Sequence, residues 1–271
     1  MNYQQLFRLD GRRAAVVGAG AGIGREAALA LAAHGAQVIC LDRDLDAAQQ
    51  TADAGQQAAD AADDDPRGAD DAVASAALLD LTDGEAIHAA AADHDPVDVL
   101  VFTPAVNVRK RLLDYERSDF DRVVDLNLRG AFDLIRSVGR GMAARGRGSI
   151  IGFSSIRATT VEPGQGVYAA TKAGLIQLLR TAAAELGPDG VRCNAIAPGI
   201  VETPLTEPIM QDPDWYGAYA AKTALGRWSQ PSELAGAVVY LASDASSFVT
   251  GSVVTVDGGW TAIDGRYDPP A

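Results

Sequence analysis

The sequence predicts an α/β fold in which a seven-stranded parallel sheet is doubly wound, with helices on both faces. Three observations predict it: seven short apolar runs alternate with helix-length segments, the runs are apolar on both faces, and 271 residues suffice for one large core. Parallel neighbours need crossover connections, and strands covered on both faces read as continuous apolar runs. A single domain over residues 1–271 follows, because α/β folds of this length commonly form one unit.

In order, the strands are expected at Ala14–Val17, Gln37–Leu41, Ala76–Leu79, Val97–Phe102, Ser149–Phe153, Val191–Ala195 and Val253–Val256. Helical spacing marks Gly24–Ala33, Tyr115–Met142, Val167–Leu186 and Ser232–Leu241, the last with Ser232 as its N-cap after Pro231. Between Asp42 and Asp80 the chain is longer than one compact helix and loop require, and Asp60–Asp71 holds six aspartates. An extended helix running into a solvated acidic loop, at about 55–71, is the expected form. A metal site is the sharper reading of that run, but like charges in sequence usually mark hydrated loop, and no metal is expected.

The net charge of −13 disfavours nucleic acid and anionic membranes as partners. No run of about 18 apolar residues exists, and Met1–Arg13 lacks the apolar core of a signal peptide, so a soluble, cytoplasmic protein is expected. Cys40 and Cys193 lie in strand-like runs and are expected as small buried hydrophobes rather than as a disulfide or metal ligands. Lysine is confined to Lys110, Lys172 and Lys222.

The first apolar run leads into Gly18-Ala19-Gly20-Ala21-Gly22-Ile23-Gly24 and then a helix. Free N–H groups and the positive dipole end of a helix N-terminus hold a pyrophosphate, and glycine removes the side chains that would block it. Asp42 ends the second run, eighteen residues after Gly24, where a carboxylate accepts hydrogen bonds from the adenosine ribose in a Rossmann-type site. A carboxylate there repels a 2′-phosphate, so NAD is expected over NADP; Arg43 beside it is the cation that would reach such a phosphate.

Tyr168 and Lys172 are four apart on a predicted helix and share one face. A free tyrosine has a pKa near 10, and an adjacent ammonium lowers it at about 1.4 kcal/mol per unit, which would make Tyr168 a usable acid/base. Alone, the pair fits a surface Tyr and Lys equally well.

Further motifs accompany the glycine loop Gly18-x3-Gly22-x-Gly24 and the Tyr168-x3-Lys172 pair: Ser155 thirteen residues before Tyr168, and Asn127 in Asp125-Leu126-Asn127-Leu128. Asp80-Leu81, Asn194, Pro198-Gly199-x3-Thr203, Val249-Thr250-Gly251 and Asp257-Gly258-Gly259 follow in order. Together these resemble the short-chain dehydrogenase/reductase family over nearly the whole chain. The resemblance implies that Tyr168 exchanges a proton with the substrate while hydride passes to or from nicotinamide. Lys172 then binds the nicotinamide ribose, Ser155 orients the substrate oxygen, and Asn127 holds a water in a proton relay. It also implies that Asp80 and Leu81 flank the adenine and that Ile200 and Thr203 meet the carboxamide. Spacing selects Ser155 over Ser154. The chain departs from the family in having Val17 for Thr and Phe102-Thr103-Pro104-Ala105 for Asn-Asn-Ala-Gly, changes expected to remove hydrogen bonds that brace the sheet and cofactor loop.

After the fourth strand comes Arg109-Lys110-Arg111. It reads either as an exposed basic turn pairing with nearby carboxylates or, through Arg109 with Arg157, as a clamp for an anionic substrate. The Arg109-Lys110 pair and Ala224-Leu225-Gly226-Arg227-Trp228 are similar to gluconate 5-dehydrogenases, and ketoacyl-thioester reductases share much of this. The implied activity is NAD-dependent interconversion of a secondary alcohol (polyol, sugar acid, or small or cyclic alcohol) and its ketone. The alternatives are a 3-oxoacyl-thioester reductase using NADPH and a cofactor-binding sensor without turnover. Residues 203–228, with Trp215, Tyr216 and Tyr219, fall where the family keeps its substrate lid. The tail Trp260–Ala271 and the long helices imply a homotetramer.

Overall fold

The computed structural model describes residues 3–62 and 73–263. Its strands are β1 (Arg13–Val17), β2 (Gln37–Asp42), β3 (Ala74–Leu78), β4 (Val99–Phe102), β5 (Gly148–Phe153), β6 (Val191–Pro198) and β7 (Val253–Val256). They form one parallel sheet in the order β3-β2-β1-β4-β5-β6-β7. The chain runs outward from β1 to β3, returns to lay β4 beside β1, and runs outward the other way. Where the order reverses, the connections leaving β1 and β4 diverge and open a crevice at the carboxyl ends of the strands.

The helices are α1 (Gly22–Ala33), α2 (Leu45–Ala62), α3 (Gly84–Asp93), α4 (Arg117–Val124), α5 (Gly130–Arg145), α6 (Gly166–Leu186), α7 (Glu207–Met210), α8 (Pro213–Ala220) and α9 (Ala235–Ala242). Strand side chains alternate between two cores, as the pleat requires. Val16, Cys40 and Val101 pack with Leu31 of α1 and Leu241 of α9. Val17, Ile39 and Leu100 pack on the other face with Leu134 of α5 and Leu175 of α6. A smaller third cluster, Ile156, Ile200, Ile209, Tyr219, Trp228 and Trp260, lies at the carboxyl end of the sheet.

The seven expected strands are all present, with shifted ends: β3 starts two residues earlier than read from sequence and β6 runs three further. The long helix expected over 115–142 is α4 and α5 joined by a π-helical turn at Asp125–Arg129, in which the Gly130 N–H donates to Asp125 O. The apolar period continues through that turn and does not betray it. Helix α3 was not expected: its alanine-rich sequence buries one large side chain, Ile87, and its start is set by Asp83, whose carboxylate accepts from the Glu85 and Ala86 N–H groups. Helix α2 is the extended helix expected after β2. The acidic loop that follows it falls mostly on residues 63–72, and the end of the C-terminal tail on 264–271, outside the described residues.

Cys40 and Cys193 are buried and unbonded, and burial pushes both thiols up to about 12. Among the described residues no helix is long and apolar enough to cross a membrane. Asn194 is fully buried at the centre of β6, where its Nδ2 donates to Val249 O at 2.8 Å and its Oδ1 accepts from Ser252 N at 3.0 Å. It fixes the turn that leads into β7. Asn194→Ala leaves two main-chain groups without partners and is expected to cost about 2–4 kcal/mol. Urea unfolding checks this.

Candidate active site

Helix α1 begins at Gly22 after Ala21, which supplies no side-chain cap, so its first N–H groups are left for another acceptor. Ala21, Gly22 and Ile23 line a cavity of ≈ 580 Å³ at the carboxyl ends of β1 and β4. Glycine is required at two points of this loop. Gly18 has φ +82°, and a Cβ on Gly24 would lie 1.9 Å from the Gly18 carbonyl oxygen. A side chain at either point would force the loop open.

At the end of β2, Asp42 Oδ2 accepts from the Gly20 N–H at 2.8 Å and Oδ1 from the Asp44 N–H at 3.0 Å, which fixes the carboxylate on the cavity wall. Arg43, Asp80, Leu81 and Thr203 line the same cavity. The Thr82 N–H and hydroxyl, both at 2.8 Å, hold the Asp80 carboxyl below the usual carboxylate range. Uncapped N–H groups, a loop closed to side chains and a carboxylate at the second strand fit a dinucleotide. Pro198 ends β6, and the close pass of Gly199 against Asp257 leaves no room for a Cβ. Ile200, expected at the carboxamide, packs in the third cluster with Tyr219 of α8.

Ser155 follows β5, Tyr168 and Lys172 stand one turn apart on α6, and Asn127 comes from the π-helical turn. All four are buried. The Ser155 hydroxyl, which accepts from the Arg157 N–H at 3.1 Å, acts on the Tyr168 phenol and favours its ionised form. Lys172 Nζ donates to Phe153 O at 2.7 Å and lies 5.7 Å from the centre of the Tyr168 ring. Ser154, the competing serine, donates to the Lys172 carbonyl at 2.8 Å, a bracing role that leaves Ser155 as the serine on the phenol. Asn127 Nδ2 donates to Val106 O at 2.9 Å and Thr171 Oγ1 at 3.2 Å, while its Oδ1 accepts from Val106 N at 2.8 Å. The amide is committed to the frame, and both arms are used.

Burial pushes the Tyr168 phenol above its ordinary value, with the Ser155 hydrogen bond and the charges of Arg157 and Arg109 pulling it down. Lys172, expected to tune Tyr168, lies 5.7 Å from its ring centre. The ammonium is turned to Phe153, and burial pushes Lys172 itself down to about 8.

Arg109 and Arg157 converge on one carboxylate, Glu162: Arg109 Nη1 donates to Oε1 at 3.2 Å and Arg157 Nη2 to Oε2. The basic turn therefore does pair with carboxylates, Lys110 with Asp119 at 2.6 Å included. Yet the same two guanidiniums act on Tyr168, so neither expected reading excludes the other. Thr103 answers the departure from the family pattern. Its hydroxyl lies 3.3 Å from Val17 O and 3.4 Å from Gly18 O, and it braces the cofactor loop that the lost Asn was expected to leave loose. The sequence reading missed Glu162, Arg122 and Leu126. The last two line the cavity from α4 and the π-helical turn, four residues apart and so on one face, a spacing the sequence did carry.

A dinucleotide cleft at the carboxyl ends of the strands, in a chain that also carries a buried Ser155, Tyr168 and Lys172, points to a nicotinamide-dependent oxidoreductase acting on CH–OH groups. A family profile described as enoyl-(acyl carrier protein) reductase matches residues 18–261. Galactitol 2-dehydrogenase (L-tagatose-forming) of Cereibacter sphaeroides is 40% identical over 96% of this chain and 99% of its own. Gluconate 5-dehydrogenase of Gluconobacter oxydans is 36% identical over 96% and 99%. Among solved structures, a gluconate 5-dehydrogenase from Burkholderia cenocepacia, in complex with NADP and tartrate, matches with a TM-score of 0.87, 33% identity and coverage of 96% of this chain and 98% of that one. The chain belongs to the short-chain dehydrogenase/reductase family.

Because the Lys172 value of about 8 lies below its ordinary 10.5, the unfolded chain keeps that proton between those pH values while the folded chain has lost it. The Lys172 contribution to stability then rises with pH across the window. At about 1.4 kcal/mol per unit, the gain is on the order of 3 kcal/mol. Because the raised Cys40 and Cys193 thiols lower stability above about pH 9 in both proteins, urea unfolding between pH 8 and 10.5 is read as a difference, and the stability of wild type relative to Lys172→Met is expected to grow with pH.

Proposed function

We propose that the protein oxidises a secondary hydroxyl of a sugar-type substrate, foremost a sugar acid, to the ketone and catalyses the reverse reduction, with NAD as cofactor. The observation that carries this is the convergence of Arg109 and Arg157 on one carboxylate, Glu162, in the span between Ser155 and Tyr168. Relatives named for galactitol and gluconate support a polyhydroxylated substrate, and the arginine pair favours the acid. The ketoacyl-thioester alternative has no comparable support from the pocket.

When bound, the cofactor supplies the hydride acceptor or donor at its nicotinamide ring. Tyr168 takes the hydroxyl proton, and Ser155 holds the substrate oxygen on the phenol. Lys172, with a value of about 8, is suited to pass protons near neutral pH and to bind the ribose of the cofactor. Since the Asn127 amide is committed, the water of the implied relay falls to the main chain of the π-helical turn. Gly18, Gly22 and Ile23 would cradle the pyrophosphate and Asp42 the adenosine ribose. Asp42 favours NAD by repelling a 2′-phosphate, while Arg43 is the route by which NADP would bind. Phe120 on α4 and Phe132 on α5 are each 48% exposed, in support of a homotetramer built on these helices.

Tyr168→Phe is expected to lower kcat by ~10²–10⁴-fold with NADH affinity retained. Turnover within tenfold of wild type on a verified substrate would show the assignment to be wrong. Fluorescence titration is expected to give NADH at least about tenfold tighter than NADPH, a gap that Asp42→Ala narrows.

A further inference from the structure

Glu162 lies in the span between Ser155 and Tyr168, and its carboxylate gathers three donors: Arg109 Nη1, Arg157 Nη2 and the Tyr219 hydroxyl of α8. The two arginines are held unequally. The Arg157 side chain is 8% exposed, with its guanidinium 5.2 Å from the Trp260 ring centre and 6.0 Å from that of Tyr219. Arg109 is 35% exposed, stands over Trp215 at 5.0 Å, and reaches Glu162 at 3.2 Å. Two cations and one carboxylate leave one positive charge beside the catalytic tyrosine. The chain therefore supplies its own carboxylate to an anion position at the reacting centre.

We propose that Glu162 determines specificity by occupying the anion position of the substrate pocket. A substrate carboxylate takes over Arg109, the more exposed and longer-bonded partner, while Glu162 keeps Arg157 and Tyr219. The exchange trades one guanidinium–carboxylate contact for another and leaves no buried charge unpaired. A neutral polyol gains nothing from Arg109, so Glu162 sets how strongly acids are preferred. Because Tyr219 shares the same carboxylate, substrate selection and the position of α8 are linked through one side chain. The inference rests on the sugar-acid reading of the pocket.

The test is binding of tartrate to the NADH-loaded protein by isothermal titration calorimetry, which needs no turnover. Glu162→Gln removes the competing charge at nearly constant shape and is expected to bind tartrate roughly tenfold tighter. Glu162→Asp draws the carboxylate back from Arg109 by about 1.5 Å. It is expected to shift affinity the same way and serves if the Gln variant does not fold. Arg109→Ala in the Glu162→Gln background is expected to cancel the gain. Unchanged or weaker tartrate binding in both Glu162 variants, or a gain that survives loss of Arg109, overturns the proposal. With D-gluconate and galactitol as substrates, Glu162→Gln is expected to raise the ratio of kcat/KM for the acid over the polyol. Should the wild type oxidise neither compound, the proposed function falls, while the tartrate comparison still decides the role of Glu162.

Discussion

Two hydrogen bonds between the end of β5 and the middle of α6 set the geometry of the site. Ser154 Oγ donates to the Lys172 carbonyl at 2.8 Å, and Lys172 Nζ donates back to Phe153 O at 2.7 Å. Both side chains are buried, and a polar group in such a place costs a few kcal/mol if its partner is lost. Sliding α6 by one residue would break both bonds at once. The register of helix on strand is thereby fixed, and with it the meeting of Ser155, one residue past Ser154, with Tyr168, one turn before Lys172.

That stitch secures only one side of the crevice. Asn127 ties the loop after β4 to α6 through Val106 and Thr171, and Thr103 ties the end of β4 to the first glycine of the cofactor loop. The cofactor loop, the wall after β4 and the acid/base helix therefore share one frame. A π-helical turn is what turns Asn127 inward. An ordinary turn would rotate it by the share of one residue and take the amide off Val106.

Much of this was legible in the sequence because it depends on short-range spacing. Glycines before a helix, a carboxylate at the end of the second strand, and Tyr168 with Lys172 at four residues follow from helix and strand periods alone. The choice of Ser155 over Ser154 came from spacing too, but the reason, that Ser154 is spent on a helix carbonyl, comes from packing. Glu162 was beyond reach for the same cause. Its partners Arg109, Arg157 and Tyr219 stand 53, 5 and 57 residues away, and only the folded chain brings three segments to one carboxylate. Helix α3 escaped because alanine writes almost no apolar period. The bracing by Thr103 escaped because a hydroxyl at a strand end has no partner that sequence alone can name.

The electrostatics of the site follow from burial acting in opposite directions on two neighbours. It raises Tyr168, which resists becoming phenolate, and lowers Lys172 to about 8, which resists remaining ammonium. Among the protein's own groups, Lys172 therefore gives up its proton before Tyr168 does. The guanidiniums of Arg109 and Arg157 also act on the phenol. They are positive charges near the phenol, and Glu162 offsets one of them. The clamp thus bears on chemistry as well as binding. Whatever carboxylate it holds also adjusts the field at Tyr168, so recognition of the acid end of a substrate and the readiness of the tyrosine to take a proton are set by the same pair of arginines.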